Sequence, residues 1–209
     1  MIDVFRGDSR VLCGQEVRII RTLMALDRMA FGELAPRDNG TEQHWRLLWL
    51  HRPDANHVCI VDGVIAGYLQ MIPLVPWAAR QLKLGGLGDG EIIDEHVPGR
   101  EKPLAESVAS IYVMSLVLHP AFRGLGLARR MWNTAACHWN REGRFAEGLV
   151  TVWTDHGDRF FQPLRGNCVG ADANGHRVYT LNLDHRQLRP LPESGGTLHG
   201  AVDADRASA

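Results

Sequence analysis

The sequence lacks paired cysteines and long apolar runs. Its four cysteines are widely spaced and form no C-x-x-C pair, so neither a zinc site nor a disulfide framework is indicated, and no metal is predicted. No run approaches the roughly eighteen apolar residues that a membrane-spanning helix needs. Asp3 lies close to Met1, where a signal peptide would carry a cationic region. These absences predict a cytoplasmic protein with reduced thiols and no membrane partner.

The sequence also lacks an excess of charge of one sign. Lys and Arg total 23 and Asp and Glu total 24, which gives a net charge of −1, so no nucleic-acid partner is predicted. Hydrophobic residues make up 45% of the 209 residues, which is enough for a buried core, and we assign residues 1–188 to one domain. Residues 189–209 have almost no apolar pattern, which predicts a disordered tail.

Regular patterns predict two helices and a hairpin in the first third of the chain. Apolar residues recur at helical spacing over 16–30 and 42–50, and an Asp-Gly dipeptide at 62–63 suits a tight turn between two strands. Residues 76–109 differ, because a glycine pair at 85–86 and further Gly and Pro residues interrupt any pattern. We interpret them as a long inserted connection between two strands, not as a packed element.

The stretch from Ile111 to Ala128 is the most informative part of the sequence. Ile111–Leu118 is rich in β-branched and aliphatic residues, which predicts a buried central strand. Gly124 and Gly126 follow, and a helical pattern starts at about Gly126. A glycine turn before a helix brings unpaired N–H groups together at the positive end of the helix dipole, which favours a phosphate. The alternative is an ordinary strand-to-helix turn, and the Walker A and Rossmann patterns are absent.

This loop resembles that of a known family. It is similar to the R/Q-x-x-G-x-G/A loop of the GNAT acyl-CoA-dependent N-acetyltransferases, with the residues Arg123, Gly124, Leu125, Gly126, Leu127 and Ala128. Residues 57–73 resemble the second and third strands of that family, and 148–183 resemble its fifth strand, fourth helix and closing hairpin. The resemblance implies an α/β (α+β) GNAT fold. Its mixed central sheet has about six to seven strands, is splayed between strands four and five, and is flanked by about four helices.

The resemblance also implies an activity and a set of binding residues. Members transfer an acetyl or other acyl group from acyl-CoA to a primary amine of a small molecule or protein, so acetyl-CoA or another acyl-CoA is the expected co-substrate. The loop would bind the pyrophosphate, and the strand before it would bind the pantetheine arm. The coenzyme residues implied are Leu116, Val117, Leu118, Arg123, Gly124, Leu125, Gly126, Leu127, Ala128, Thr154 and Phe161. An amine acceptor is the second expected partner, and a homodimer stays open.

Four residues are candidates for the acceptor side. Phe31 begins the loop that shapes the acceptor site in the family. Glu91, Asp94 and Glu95 concentrate negative charge within the 76–109 connection. They form either a solvated acidic loop or a substrate-binding patch that attracts a cationic amine.

Tyr112 is the candidate catalytic residue. Because side chains alternate along a strand, Ser110, Tyr112 and Met114 share one face. A phenol with a pKa of about 10 is a poor base at neutral pH, so Tyr112 either orients a water molecule or closes the core. Thr154 and Phe161 fall where the family often has Asn and Tyr, and Phe161 has no proton to give to the leaving thiolate. That departure leaves an alternative function, a catalytically silent module of the same fold that binds acyl-CoA or another ligand.

Overall fold

The computed structural model describes residues 1–34, 36–100, 110–142, 145 and 147–183. Its strands form one seven-stranded sheet: β1 (Ile2–Arg6), β2 (Asn56–Val61), β3 (Val64–Leu74), β4 (Ser110–Leu118), β5 (Glu147–Thr151), β6 (Arg165–Ala171) and β7 (Arg177–Leu181). The strand order is β1-β2-β3-β4-β5-β7-β6. Neighbouring strands are antiparallel except β4 and β5, which are parallel. This single parallel pair makes the sheet mixed.

The described part of the chain also forms six α-helices. They are α1 (Glu16–Phe31), α2 (Pro36–Asn39), α3 (Glu42–His51), α4 (Pro76–Lys83), α5 (Leu127–Glu142) and α6 (Asp155–Phe161). Thr41 caps the start of α3, because its side chain accepts a hydrogen bond from the His44 N–H at 3.2 Å. This cap satisfies one of the N–H groups that the start of a helix leaves without a partner.

The two faces of the sheet carry different helices. Val58 and Tyr68 belong to an apolar cluster with residues of α1 and α3. Successive side chains of a strand point to opposite faces, and His57, next to Val58, contacts His138 of α5 at a ring-centroid distance of 6.0 Å. We therefore call the side covered by α1 and α3 the front face and the side covered by α5 the back face.

The segment after β3 is packed over much of its length, which corrects our interpretation of 76–109 as an irregular connection. α4 begins at Pro76, because the first turn of a helix tolerates a residue without an N–H group. Its Leu82 is fully buried, and Ile92 and Val97 are buried further along. Contacts with the core, not local periodicity, therefore order this segment.

The predicted fold class is confirmed by this architecture. The sheet is mixed, has seven strands and opens between β4 and β5, with helices on both faces. Residues 101–109 of the connection and the tail predicted over 189–209 lie outside the described residues. None of the helices in the described part combines the length and the apolar character that crossing a membrane requires.

Candidate active site

β4 and β5 separate halfway along β4, and the gap between them opens a groove. Their parallel pairing runs from Ser110 opposite Glu147 to Val113 opposite Val150. β4 continues alongside β3 as far as Leu118. Within the described part of the chain, the second half of β4 therefore has no strand partner on its β5 side.

The backbone of β4 directs polar groups into this gap at alternate residues. The His119 N–H donates to the Ala66 carbonyl oxygen at 2.9 Å. Since residues of an antiparallel strand direct their backbone groups to alternate edges, Leu116 and Leu118 direct theirs to the open side. The backbone groups of Val117 point toward β3. The open edge offers donors and acceptors to an extended ligand, which is what the pantetheine arm of coenzyme A requires.

The turn after β4 enters α5 through two glycines in the left-handed region. Gly124 has φ 80° and Gly126 has φ 73°, and a Cβ at Gly124 would meet nothing within 4 Å. The Arg130 N–H donates to the Gly126 carbonyl oxygen at 3.1 Å. The N–H groups of Leu127 and Ala128, which precede it, have no acceptor within the helix. This open helix N-terminus fits a phosphate group.

The open edge and the turn line a groove, which we call the loop groove. Its lining residues are Ala30, Phe31, Leu116, Val117, Leu118, Arg123, Gly124, Ala128, Thr154, His156, Gly157, Phe160 and Phe161. Eight of the eleven residues predicted to bind the coenzyme are in this set. Of the other three, Leu125 is 55% exposed, Gly126 forms the turn and Leu127 is buried in the core.

A second space, which we call the inner cavity, continues from the loop groove toward α1 and α2. It is lined by Asp27, Phe31, Leu34, Asp38, Asn39, Asp89, Val113, Met114, Ser115, Leu116, Val150, Thr151, Val152, Trp153, Thr154, Gly157 and Phe161. Phe31, Leu116, Thr154, Gly157 and Phe161 line both spaces. The two spaces therefore meet at the open edge of β4, so ligands in the two can touch each other.

Asp27 is a buried carboxyl that faces the inner cavity from α1. It lies one helical turn before Phe31 and is 2% exposed. The hydroxyl of Tyr68 on β3 donates to its Oδ1. Burial raises the pKa of Asp27 from 3.8 to about 7, against the opposing effect of the hydrogen bond from Tyr68. A carboxyl with this pKa suits proton transfer near neutral pH.

Asp89 is a second carboxyl at the inner cavity, and Tyr112 holds it. The Tyr112 hydroxyl donates to Asp89 Oδ1 at 2.8 Å. Burial raises the pKa of Asp89 to about 8, and nearby carboxylates add to that rise while the Tyr112 bond opposes it. Tyr112 is 1% exposed and is not among the described lining residues of either space. Burial raises its own pKa well above the usual value, so its hydroxyl stays a hydrogen-bond donor to Asp89.

A β-bulge changes which residues of β4 reach the front face. The pairing with β3 passes from Ser115 directly to Val113, so Met114 is an extra residue in β4. The bulge brings Ser115 to the face that carries Tyr112, which simple alternation does not allow. Met114 and Ser115 both line the inner cavity.

The three acidic residues predicted for acceptor binding are not among the described lining residues of the inner cavity. Glu91 Oε2 accepts hydrogen bonds from Arg37 Nε at 3.1 Å and from a backbone N–H at 2.8 Å. Glu91 therefore ties α2 to the segment that follows α4. Asp94 and Glu95 lie in the next 3₁₀ turn and are exposed. Among the described residues of the 76–109 connection, Asp89 is the carboxyl that lines the cavity.

Thr154 and Phe161 form the wall that α6 contributes. Thr154 Oγ1 caps α6 by accepting a hydrogen bond from the Gly157 N–H at 3.1 Å. Phe161 is 4% exposed and packs edge-on against Trp132 with ring centroids 5.8 Å apart. Phe161 thus supplies an apolar surface where the loop groove meets the inner cavity.

Sequence reasoning missed most of the polar inner cavity. One residue carried a readable signal, because Asp27 follows Leu23 by four positions and so lies on the apolar stripe of its helix. Because a carboxyl is costly to bury, its presence on a buried helix stripe indicates a functional site. Asp38, Asp89 and Trp153 carry no such signal, since only the tertiary fold brings them together.

Comparison with known proteins connects this geometry to one family. A model of the Acetyltransferase (GNAT) family matches residues 20–162. No curated protein gives a significant match.

Several solved structures share the fold. The loading GNATL domain of CurA from Lyngbya majuscula superposes with a TM-score of 0.57 at 12% identity, over 89% of this chain and 100% of that chain. A GNAT-family acetyltransferase from Staphylococcus aureus Mu50 gives a TM-score of 0.55 at 11% identity, over 88% of this chain and 99% of that chain. Ard1 from Thermoplasma volcanium gives a TM-score of 0.51 at 11% identity, over 87% of this chain and 94% of that chain. Identities this low establish a common fold alone.

Proposed function

The chain belongs to the GNAT acetyltransferase family, and from this premise we propose that it transfers an acetyl group from acetyl-CoA to a primary amine held in the inner cavity. The observation that carries the proposal is the junction of the two spaces. Phe31, Leu116 and Phe161 line both the loop groove and the inner cavity. A thioester held in one space therefore reaches an amine held in the other, as acyl transfer requires.

The loop groove has the features that coenzyme A needs along its length. The N-terminus of α5 and the open space beside Gly124 suit the pyrophosphate. The outward backbone groups of Leu116 and Leu118 suit the amide-containing pantetheine arm. When bound, acetyl-CoA supplies the activated acetyl group. The Leu116 N–H, at the junction, is placed to donate to the thioester carbonyl oxygen.

Asp27 is the residue we assign to proton transfer. An amine that enters as an ammonium gives one proton to the Asp27 carboxylate, and its lone pair then forms the C–N bond as the C–S bond breaks. The second proton passes from the nitrogen through solvent to the departing thiolate. Asp27 lines the inner cavity one helical turn before Phe31, which lines both spaces, and this neighbourhood favours Asp27 over Asp89 for the role.

Phe161 determines how the thiolate leaves. Its ring has no proton to donate, so coenzyme A leaves as a thiolate, which is a good leaving group without assistance. The alternative of a silent module that binds acyl-CoA predicts coenzyme binding without turnover, and the same assay separates the two.

The test is an incubation of the purified protein with acetyl-CoA and a panel of small amines and peptides. Mass spectrometry should detect free coenzyme A together with an acceptor heavier by one acetyl group. Direct detection is preferable to a thiol reagent, because Cys13 and Cys168 are exposed free thiols. Binding of acetyl-CoA without any acetylated acceptor would favour the silent module. Longer acyl-CoA donors in the same assay define the acyl chain that the groove accepts.

Asp27→Asn should lower the rate of acetyl transfer at least tenfold while acetyl-CoA still binds. Asp62→Asn is the matched control, because Asp62 is 76% exposed in the β2–β3 turn. Equal rates for Asp27→Asn and wild type would remove Asp27 as the proton acceptor.

The single domain over residues 1–188, the cytoplasmic location and the homodimer stay predictions.

A further inference from the structure

We propose that the acceptor is a small amine with a second positive charge, such as an aliphatic diamine, and not a polypeptide. This inference rests on the proposed function, because it names the acceptor class for the inner cavity. Four features carry it: an outer side bridged by side chains, a polar lining of carboxylates, a buried amide oxygen opposite Ser115, and an aromatic wall.

The outer side of the inner cavity is bridged between two distant parts of the chain. Asn174, in the turn between β6 and β7, donates through Nδ2 to Asp38 Oδ1 of α2 at 2.8 Å. Asp38 itself lines the cavity. α2 is held a second time by the Arg37–Glu91 ion pair, with an N···O distance of 3.1 Å. A polypeptide crossing between α2 and the β6–β7 turn would have to break this bridge, whereas a small molecule does not.

The polar lining of the cavity selects for positive charge. Asp27, Asp38 and Asp89 line it, and the set of described lining residues contains no Lys, Arg or His. Asp27 is 2% exposed, and Asp38 and Asp89 are half-buried. Burial and the charges of Asp172, Asp27 and Asp38 together raise the pKa of Asp89. A cation bound between Asp38 and Asp89 would lower that pKa again, so that Asp89 holds the cation in its charged form.

On the front face of the sheet, the side chain of Gln70 adds a buried oxygen that could accept a hydrogen bond from a ligand. Gln70 is 3% exposed and lies opposite Ser115 in the β3–β4 register. Its Oε1 has no hydrogen-bond donor within the described part of the chain. Gln70 shares the front face with Tyr68, two positions earlier on β3. Gln70 is not itself among the described lining residues of the inner cavity, but Ser115 opposite it is. An N–H donor bound beside Ser115 would satisfy an oxygen that is otherwise costly to bury.

The aromatic wall of the cavity also suits an ammonium group. Trp153 stacks on His176 with ring centroids 4.5 Å apart and meets Phe31 edge-on at 6.1 Å. Trp153 and Phe31 both line the cavity. An ammonium group is attracted to the face of an aromatic ring, most strongly to that of Trp. With Asp27 assigned to the reacting amine, Asp38 and Asp89 remain for the second charge.

The experiment compares 1,4-diaminobutane with butylamine, which has the same carbon chain and one charge, and with a basic peptide. Calorimetry measures binding of each probe to the full chain, and mass spectrometry measures acetylation with acetyl-CoA. The diamine should bind at least tenfold more tightly than butylamine and should have at least a tenfold higher kcat/KM. Asp38→Asn should reduce both ratios severalfold, because it removes a charge that only the second ammonium group needs, and the exposed control Asp62→Asn should preserve them.

The outcomes separate this inference from the proposed function. Equal binding of diamine and butylamine, no binding of the diamine, or preferred acetylation of the peptide would each overturn the dication proposal. If butylamine and the diamine are acetylated with equal kcat/KM, the proposed function stands and the dication inference falls. If the diamine binds with the expected preference but no acceptor is acetylated, the recognition stands and the transfer activity falls.

Discussion

Replacing Asp27 by Asn should remove a large part of the pH dependence of folding stability. Asp27 is buried on α1 and accepts a hydrogen bond from Tyr68. Asn has nearly the same size and keeps an oxygen for that hydroxyl, but it cannot ionise. The comparison therefore isolates the ionisation of one buried carboxyl.

The size of the effect follows from the pKa of Asp27 in the folded protein. The ordinary pKa of this carboxyl is 3.8, and burial raises it to about 7. Between these values the folded protein binds more protons than the unfolded chain, so its stability falls as the pH rises. At about 1.4 kcal/mol for each tenfold change in proton affinity, the loss totals about 4 kcal/mol and is complete by about pH 8. Below about pH 4 the Asp27 carboxyl is protonated in both the folded and the unfolded state, so it causes no loss of folding stability.

Urea unfolding of wild type and Asp27→Asn at several pH values measures this loss. Between about pH 5 and pH 8, the variant should gain about 3 kcal/mol of unfolding free energy relative to wild type. Asp62→Asn, which changes a carboxylate that is 76% exposed, should follow wild type. The same pH dependence in wild type and Asp27→Asn would refute the raised pKa and with it the proton-transfer role.

Substitutions at three further residues test individual contacts. Phe161→Tyr should keep the Kd of acetyl-CoA within about twofold, whereas Phe161→Ala should weaken binding because it removes the wall between groove and cavity. Tyr112→Phe should cost about 1–2 kcal/mol of stability, because Asp89 loses its donor, and should retain activity. A hundredfold loss of kcat would give Tyr112 a direct catalytic role. Glu91→Gln should loosen α2 through Arg37 and raise the amine KM severalfold without changing the acetyl-CoA KM.

The lining of the loop groove could be predicted because it is local in sequence. Gly124, Ala128 and the strand residues before them lie within one strand, turn and helix, so their spacing alone indicates their relation in space. The two glycines have the left-handed backbone that the loop pattern predicts. The same locality explains why the Asp-Gly turn at 62–63 and the limits of α1 and α3 were readable.

The acceptor side could not be predicted, because contacts between distant segments build it. The bulge at Met114 has no marker in the apolar run of β4, yet it places Ser115 in the cavity. Asp89 and Glu91 are two residues apart in one acidic stretch, and only the packing of α4 and the residues after it decides which one reaches the cavity. α4 itself was obscured because the glycines that follow it dominate the local pattern.

Binding of acetyl-CoA to Gly124→Asp and Gly124→Asn, measured by isothermal titration calorimetry, tests the coenzyme site most directly. Asp and Asn have nearly the same shape and both tolerate the left-handed backbone of Gly124. The space around a Cβ at this position is open, so the pair differs mainly in charge. Wild type should bind saturably, the Asn variant should remain within about threefold, and the Asp variant should bind at least tenfold more weakly, because its charge faces the pyrophosphate. No binding by wild type, or equal affinities for the two variants, would contradict a coenzyme held in the loop groove.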